Sequence, residues 1–330
     1  GTIKIDIDKA RDIWYSTSYL MELRQTNRTC ARERAANFKK QPLEFKFLKG
    51  FTGEAPASLS MSDAERKKAP VAAIIREKGS NGDREMAWCL HMAGFRVKDV
   101  HMTDLTSGRE DLKDVQMIVF VGGFSNADTL GSAKGWAGAF LYNEKATKAL
   151  NDFYARKDTL SLGICNGCQL MAELGLVTPD DREKSPKLVH NVSHKFESGF
   201  VGVEVPRSSS ILLKGLQGSK LGIWVAHGEG RFSFPAGNLG KNGKVKDMEV
   251  ALRYSYNEYP ANPNGSPFGI AGVCSPDGRH LAMMPHPERC IRPWNWACYP
   301  AGRKGKDQTT PWIEMFTAGR IWCQNNKSQR

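Results

Sequence analysis

Short apolar runs alternate with helical patterns over residues 70–175, and this alternation limits the possible folds more than any other feature of the chain. The runs Val71–Ile75 and Gln116–Val121 have the length and β-branched content of buried strands. Between them, a turn at Asn81–Asp83 precedes apolar residues at helical spacing over Met86–Ala93. This order predicts an α/β fold, an open and mostly parallel sheet with helices on both faces. Sites in such folds lie at the carboxyl ends of the strands.

The pattern continues toward the carboxyl end of the chain. Strands are predicted at Arg96–Met102 and Leu160–Ile164, with a helix over 143–156 between them. Beyond residue 198 the chain is rich in strand-like segments, which are Phe200–Val205, Leu221–Ala226, Phe268–Cys274 and His280–Met284. Pro311 predicts the start of a final helix within the aromatic and basic tail, residues 294–330.

The amino-terminal part has a different character. Apolar residues at helical spacing predict a helix over Ile13–Phe38, which the Gln41-Pro42 pair ends. Residues 50–69 are rich in small, polar and charged residues, a composition typical of linkers. We therefore predict a helical extension with a linker over residues 1–69 and a catalytic α/β domain over residues 70–330.

Composition excludes several classes of protein. The chain is 40% hydrophobic and 25% charged with a mean hydropathy of −0.46, which is ordinary for globular proteins, and no apolar run approaches the length of a bilayer span. Eight cysteines are dispersed along the chain, and only Cys165 and Cys168 form a C-x-x-C pair. We expect free thiols and no metal site. The opening residues show no secretory leader, so we expect a cytoplasmic piece of a longer polypeptide without a membrane partner.

The net charge of +12 invites the interpretation that the chain binds nucleic acid. The excess lies in the flanks, because residues 1–69 carry 14 Lys and Arg against 9 Asp and Glu, and residues 296–330 carry 6 against 2. No aromatic-interleaved basic motif accompanies these charges. We expect no nucleic-acid partner, and we expect the flanks to meet a partner domain or the phosphates of its substrates.

The segment Gly163–Gly167, with the sequence Gly-Ile-Cys-Asn-Gly, follows a predicted strand and precedes a helical pattern. This is the context of a nucleophile elbow, in which small residues on either side allow a sharp turn. A cysteine at a helix amino terminus is favoured as the thiolate by the helix dipole and the free N–H groups. An isolated Gly-x-Cys-x-Gly would be better explained as an ordinary turn, so the assignment of Cys165 depends on a base elsewhere in the chain.

That base is predicted in the Pro285–Arg289 segment, whose sequence is Pro-His-Pro-Glu-Arg. His286 follows a predicted strand, and Glu288 is placed to hold one ring nitrogen while the other faces a thiol. Gly122 and Gly123 end another strand, where glycine permits backbone N–H groups to approach a developing oxyanion. Taken alone, this Gly-Gly pair is equally consistent with a simple strand terminus.

In this order and at these separations, the motifs resemble those of the class I, triad-type glutamine amidotransferases, whose fold is flavodoxin-like. More narrowly, they are similar to the glutaminase domain of the phosphoribosylformylglycinamidine synthase family in its long, fused form. The similarity runs from about Pro70 to the end of the chain, and His227–Arg231 also supports it. Residues 18–40 resemble the end of the synthetase region. The sequence departs from the family at 126–128, where Asn-Ala-Asp replaces Tyr-Gly-Asp, and at 194–195, where His-Lys replaces Gly-Arg.

The resemblance implies a role for each motif. Cys165 would attack the side-chain amide of L-glutamine, with His286 as general acid and base and Glu288 as its orienting group. The resemblance also implies a set of oxyanion and substrate-binding residues, which are Gly123, Phe124, Asn166, Cys168, Gln169, Asn191, Phe196 and His227.

The resemblance further implies a division of labour with the rest of a longer polypeptide. The ammonia released from glutamine would pass to the synthetase region, where ATP and Mg²⁺ are expected to support conversion of formylglycinamide ribonucleotide to the amidine. This chain has no Walker A motif, so we expect no cofactor among its own residues. Two alternatives stay open, a cysteine hydrolase or peptidase-like relative with the same elbow, and a non-catalytic module that docks a partner.

Overall fold

The computed structural model of the chain describes residues 3–178 and 182–326. Residues 1–2, 179–181 and 327–330, which belong to the predicted extension, domain and tail, lie outside the described residues. Nine strands of the described part form one sheet. They are β1 (Val71–Arg76), β2 (Arg96–His101), β3 (Met117–Phe120), β4 (Leu160–Ile164), β5 (Glu197–Glu204), β6 (Lys220–His227), β7 (Glu249–Tyr254), β8 (Ile270–Cys274) and β9 (His280–Met283).

The sheet has the order β2-β1-β3-β4-β9-β8-β7-β5-β6 and consists of two halves. The pairings from β2 to β9 are all parallel, as the alternation of strands and helices predicts. The pairings from β9 to β6 are all antiparallel, and they extend the sheet with the strand-rich segments beyond residue 198. The predicted α/β class with an open sheet is confirmed, although the sequence pattern did not reveal β7.

Nine α-helices accompany the sheet in the described residues. They are α1 (Ile7–Gln25), α2 (Arg28–Asn37), α3 (Asp63–Lys68), α4 (Asp83–Ala93), α5 (Met102–Ser107), α6 (Lys134–Leu141), α7 (Glu144–Ala155), α8 (Asn166–Leu174) and α9 (Ile313–Asn325). No helix in these ranges has both the length and the apolar character required to cross a membrane.

Helices cover both faces of the sheet. In α9, a Cβ added at Gly319 would lie 3.5 Å from the Met117 sulfur, and in α8 a Cβ added at Gly167 would lie 2.0 Å from the Phe120 carbonyl oxygen. Phe120 also packs edge-on against Trp136 of α6. Because successive side chains of a strand point to opposite faces, Met117 and Phe120 of β3 lie on different faces. The helices α9 and α8 therefore sandwich the parallel half of the sheet.

The amino-terminal extension differs from its prediction, because Ile13–Phe38 is not one helix. The chain breaks at Thr26 and Asn27, which separate α1 from α2. The Asn27 side chain accepts a hydrogen bond from the Thr29 N–H at 2.9 Å and so caps α2. The Thr26 hydroxyl donates instead to the Ser193 carbonyl at 2.6 Å. A long-range contact thus supplies the break that helical spacing could not reveal.

The predicted linker is an ordered segment that is bonded to the rest of the chain. It contains a short 3₁₀ helix over Ala57–Ser60 as well as α3. The Ser58 hydroxyl donates to the Met92 carbonyl at 2.7 Å, and the Arg66 guanidinium donates to the carbonyl of Phe95 at 3.3 Å. The boundary at residue 69 stays a prediction, but the segment before it does not behave as a free tether.

Candidate active site

Cys165 lies in the turn between β4 and α8 with a strained backbone. Its φ of 52° and ψ of −105° are unusual for a residue with a Cβ. The two neighbouring glycines permit this turn, since a Cβ at Gly163 would lie 2.5 Å from the Gly167 carbonyl oxygen. A Cβ at Gly167 would meet β3 at 2.0 Å. The strand, the turn and the helix can approach this closely only because both positions are glycine.

The thiol of Cys165 is buried at the amino terminus of α8. Its Sγ donates to the Ala226 carbonyl at the end of β6, at a distance of 3.5 Å. Only 5% of the residue is exposed. The first N–H groups of a helix have no acceptors within that helix, so those of Asn166, Gly167 and Cys168 are available in principle to a negative charge beside the sulfur.

His286 and Glu288 form a buried pair directly after β9. The Nδ1 of His286 lies 2.7 Å from Oε1 of Glu288, and both side chains are nearly inaccessible to solvent. Burial alone lowers the pKa of a histidine, but the Glu288 carboxylate and the Cys165 thiol outweigh it and raise the pKa of His286 to about 9. The imidazole is therefore stabilised in its protonated form.

The absence of a side chain at Gly122 allows His286 and Cys165 to lie close together. A Cβ at this position would lie 2.9 Å from Cε1 of His286 and 3.4 Å from Cβ of Cys165. The His286 N–H donates to the Trp224 carbonyl at 2.9 Å, which anchors the histidine against β6. The second ring nitrogen, Nε2, has no hydrogen-bond partner among the described residues. The structure thus brings the three predicted catalytic side chains together.

The predicted role of the loop after β3 in binding an oxyanion stays a prediction. The backbone N–H of Phe124 donates to the Gly79 carbonyl at 2.9 Å, so in this conformation it is not free to bind an oxyanion. Gly123 pairs with Ser80 in a short antiparallel ladder and has a φ of 114°. Sequence alone could not reveal this pairing, because Ser80 and Gly123 lie far apart in the chain.

Asn166 and Gln169 form a small polar network behind the turn. The Asn166 amide donates to the Gln169 side-chain oxygen at 2.9 Å, and its own oxygen accepts from the Ser125 N–H at 3.2 Å. The Gln169 amide donates to the Glu229 carbonyl at 2.7 Å. These bonds join the loops that follow β3 and β6 to the first turn of α8.

Asn191 and His227 lie together at the end of β6. The Asn191 amide nitrogen donates to the His227 carbonyl at 2.7 Å, and its oxygen accepts from the Gly230 N–H at 3.0 Å. Asn191 therefore orders the loop after β6, with its side chain bonded to the backbone. Both ring nitrogens of His227 are buried without a partner among the described residues. Burial and the charge of His286 lower the pKa of His227 to about 3, which keeps this ring neutral.

The other predicted substrate contacts differ in exposure. Phe124 and Phe196 are both 47% exposed, and their ring centroids lie 5.8 Å apart, so they form an aromatic pair at the surface. Cys168 is fully buried in the core, and burial raises the pKa of its thiol well above the ordinary value. The side chain of Cys168 is therefore inaccessible to a ligand in this conformation, and its backbone N–H lies in the first turn of α8.

Two contacts at the site were missed by the sequence analysis. One is the Ala226 carbonyl that accepts from the thiol. The other is Arg289, which donates to the Asn81 side chain at 2.8 Å and lies 3.6 Å from Oε1 of Glu288. The Arg289 charge next to a predicted catalytic carboxylate was visible in the sequence, but its partner Asn81 was not. Within the ranges that the structure describes, no group of three His, Cys, Asp or Glu side chains could hold a metal ion.

A family match covers the cysteine elbow, the buried histidine–carboxylate pair and the sheet that places them together. Residues 69–323 match the CobB/CobQ-like glutamine amidotransferase domain. The chain belongs to this family. Membership favours the predicted glutamine amidotransferase over the peptidase-like alternative, because the match covers both the cysteine elbow and the His286 segment.

The relatives of this amidotransferase domain are much longer proteins. The chain is 44% identical over 328 residues to a probable phosphoribosylformylglycinamidine synthase of Arabidopsis thaliana, covering 96% of this chain and 23% of that protein. It is 40% identical over 338 residues to the Homo sapiens phosphoribosylformylglycinamidine synthase, covering 96% and 25%. The chain therefore spans about a quarter of the length of these curated relatives. The structure of PurLQS from Thermotoga maritima is similar with a TM-score of 0.58 at 27% identity, over 77% of this chain and 99% of that one.

Proposed function

We propose that this amidotransferase domain hydrolyses L-glutamine through a thioester on Cys165. The observation that carries the proposal is that the strained Cys165 turn lies next to His286, whose Nδ1 is held by Glu288 at 2.7 Å. A thiol at a helix amino terminus next to a protonated imidazole is an activated nucleophile. Glu288 fixes the orientation of the ring and favours its charge.

The proposed reaction has two steps. The Cys165 thiolate attacks the side-chain amide carbon of glutamine, and the tetrahedral intermediate expels ammonia, to which the His286 imidazolium gives its proton. The neutral His286 then takes a proton from water as that water attacks the thioester, which releases glutamate and restores the thiol. N–H groups from the first turn of α8, at Asn166 and Cys168, are the proposed oxyanion donors. Phe124 could join them only after its N–H leaves the Gly79 carbonyl.

The proposed substrate-binding residues differ in whether their side chains already form hydrogen bonds within the protein. His227 is a neutral ring with two unpartnered nitrogens, so it can donate to or accept from a bound ligand. We assign Gly123, Gln169 and the aromatic pair Phe124 and Phe196 to the same substrate site, as the family motifs imply. We assign Asn191 to holding the loop rather than to contacting glutamine, because both atoms of its amide already bond to backbone.

We further infer that the ammonia serves a longer polypeptide. The relatives of the chain are named phosphoribosylformylglycinamidine synthases, and the chain covers about a quarter of each. The proposed overall reaction converts formylglycinamide ribonucleotide to formylglycinamidine ribonucleotide in purine biosynthesis, with ATP and Mg²⁺ bound by the synthetase region outside this chain. We propose a cytoplasmic location and no nucleic-acid partner.

Substitution of Cys165 in the full-length protein tests the proposal. We expect Cys165→Ala to abolish glutamine-dependent amidine synthesis while synthesis from added ammonium salts persists, because only the ammonia source requires the thiol. Cys298→Ala, which removes an exposed cysteine, is the matched control and should retain both activities. Glutamine-dependent synthesis by Cys165→Ala would overturn the assignment of the nucleophile.

A further inference from the structure

The loop 191–197 borders the glutamine site, and the amino-terminal extension holds it in place. Asn191 of this loop binds the His227 carbonyl, and Phe196 forms the aromatic pair with Phe124. From the extension, Thr26 donates through its hydroxyl to the Ser193 carbonyl at 2.6 Å, and the next residue, Asn27, donates through its side chain to the Val192 carbonyl at 3.1 Å. Residues more than 160 positions away thus bind the backbone of this loop.

Charged side chains form a second connection. Glu22 of α1 lies 3.1 Å from Lys195 and 3.4 Å from Arg34 of α2, and Arg34 in turn lies 3.0 Å from Glu197. All four side chains are at least half buried, so solvent screens them less than it screens surface ion pairs. Phe196 is the residue between Lys195 and Glu197. Its position at the site therefore depends on ion pairs on both sides.

The loop needs such external contacts because its backbone is strained. His194 has a φ of 58°, in the left-handed region that favours glycine. A conformation of this kind persists only where the surrounding structure determines it. The bonds from Thr26, Asn27 and Glu22 to residues 192–195 are contacts of that kind.

The helix that supplies Glu22 has little apolar attachment. None of the residues of α1 is buried, and its large apolar side chains, such as Ile13, Trp14, Leu20 and Met21, are exposed. Apolar packing therefore contributes little to holding α1 against the loop. Polar contacts therefore hold α1 against the loop, and Glu22 is the residue of α1 that bridges both Lys195 and Arg34.

We propose that Glu22 is a positioning residue for the glutamine site, acting through Lys195 and Arg34 on the loop 191–197. This inference rests on the proposed glutaminase function. Loss of the Glu22 charge leaves Lys195 and Arg34 without their shared partner, and the loop relaxes toward a less strained backbone. Phe196 and the Asn191 contact to His227 then shift. Cys165 and His286 stay in place, because neither touches this network.

The expected signature is a change in substrate binding rather than in chemistry. In the full-length protein, Glu22→Gln should raise KM for glutamine about threefold to tenfold and leave kcat within about twofold. Asp12→Asn is the matched control, since Asp12 lies in the same helix and pairs with Arg11 and Lys39 within the extension. This control should leave KM unchanged.

A double-mutant cycle separates positioning from a merely structural effect. Lys195→Met should raise KM by a similar factor, and Glu22→Gln combined with Lys195→Met should raise it by less than the product of the two. A lowered melting temperature of Glu22→Gln with an unchanged KM would overturn the inference, as would two fully multiplicative effects. If the wild-type protein has no glutamine-dependent activity, the proposed function fails instead, so the two failures are distinguishable.

Discussion

The imidazole Nδ1 of His286 lies 2.7 Å from Oε1 of Glu288, while its Nε2 is bonded to no described residue. Pro287 separates the two residues and restricts the backbone between them. The pair therefore leaves one ring nitrogen free, and the ring edge at Cε1 lies beside Gly122 and Cys165. A single turn of the chain after β9 provides both the proposed base and the group proposed to orient it.

The first prediction concerns the relative contributions of His286 and Glu288 to catalysis. His286→Ala should lower kcat for glutamine hydrolysis by about 10²- to 10⁴-fold, because it removes the acid and base. Glu288→Gln should lower kcat less, because His286 remains as a base although its charge and orientation are less well stabilised. Steady-state kinetics of both variants in the full-length protein give the order. If Glu288→Gln were as inactive as Cys165→Ala with the fold intact, the carboxylate would have to do more than orient the ring.

The second prediction concerns the pH dependence of stability. The pKa of His286 is raised to about 9 in the folded state, against about 6.5 for an unfolded histidine. This group therefore stabilises the fold fully below about pH 6.5, and the contribution is lost as pH rises through about 9. The free energy of unfolding of the wild type should exceed that of Glu288→Gln at about pH 6, with the difference shrinking by about pH 10. Urea unfolding across this range measures it, and a difference that grew with pH would contradict the raised pKa.

The sequence predicted the elbow well because its determinants are local. Gly163 and Gly167 flank Cys165 within one turn, and a strand pattern and a helix pattern adjoin them. The His286 segment was equally accessible, since its two functional side chains are two residues apart. Where a short stretch of chain fixes both the backbone and the chemistry, pattern reasoning is sufficient.

The features that sequence did not reveal depend on distant contacts. The break between α1 and α2 is stabilised by the bond from Thr26 to Ser193, and the Phe124 N–H is occupied by Gly79. The ion pair between Glu22 and Lys195 joins residues far apart in the chain. No periodicity or spacing encodes such pairs. For the same reason, motifs predict the proposed substrate-binding residues less well than they predict the proposed catalytic side chains.

The third prediction distinguishes the two sulfurs of the C-x-x-C pair. The glutamine mimic 6-diazo-5-oxo-norleucine should label Cys165, whose thiol adjoins His286 next to Gly122. Cys168 is fully buried and burial raises the pKa of its thiol, so little reactive thiolate forms there. Peptide mass spectrometry after labelling identifies the modified residue. A label on Cys168 would mean that the wrong sulfur was assigned.

The fourth prediction tests the close approach of α8 and β3. In Gly167→Ala the new Cβ would lie 2.0 Å from the Phe120 carbonyl oxygen, so the helix must move. Overpacking of this kind costs about 1–3 kcal/mol, and the displacement moves the first-turn N–H groups away from Cys165. Gly199→Ala is the matched control, because nothing lies within 4 Å of its added Cβ. A Gly167→Ala variant as stable and active as the control would show that the turn tolerates a side chain.

The last prediction is that residues 1–330 alone are a poor glutaminase. An enzyme that delivers ammonia to a second site benefits if the first site stays idle until the acceptor is present. In this chain the exposed apolar face of α1 leaves one side of the extension unpartnered, while its polar face holds the loop beside the site. Contacts from the synthetase region to α1 could therefore shift the loop toward its active arrangement. A partner can shift such an equilibrium only by binding one arrangement better than the other.

The expected difference in kcat/KM between the fragment and the full-length protein depends on the size of that shift in the loop equilibrium. Couplings of this type change affinities by about 5- to 150-fold, and we expect kcat/KM for glutamine to differ by a factor in this range. The comparison is between residues 1–330 and the full-length protein with formylglycinamide ribonucleotide bound. Substitution of Trp14 by Ala in the full-length protein should lower its value toward that of the fragment, because Trp14 is among the exposed apolar residues of α1. Equal values for fragment and full-length protein would show that the site assembles without its partner, and the extension would then have no regulatory role.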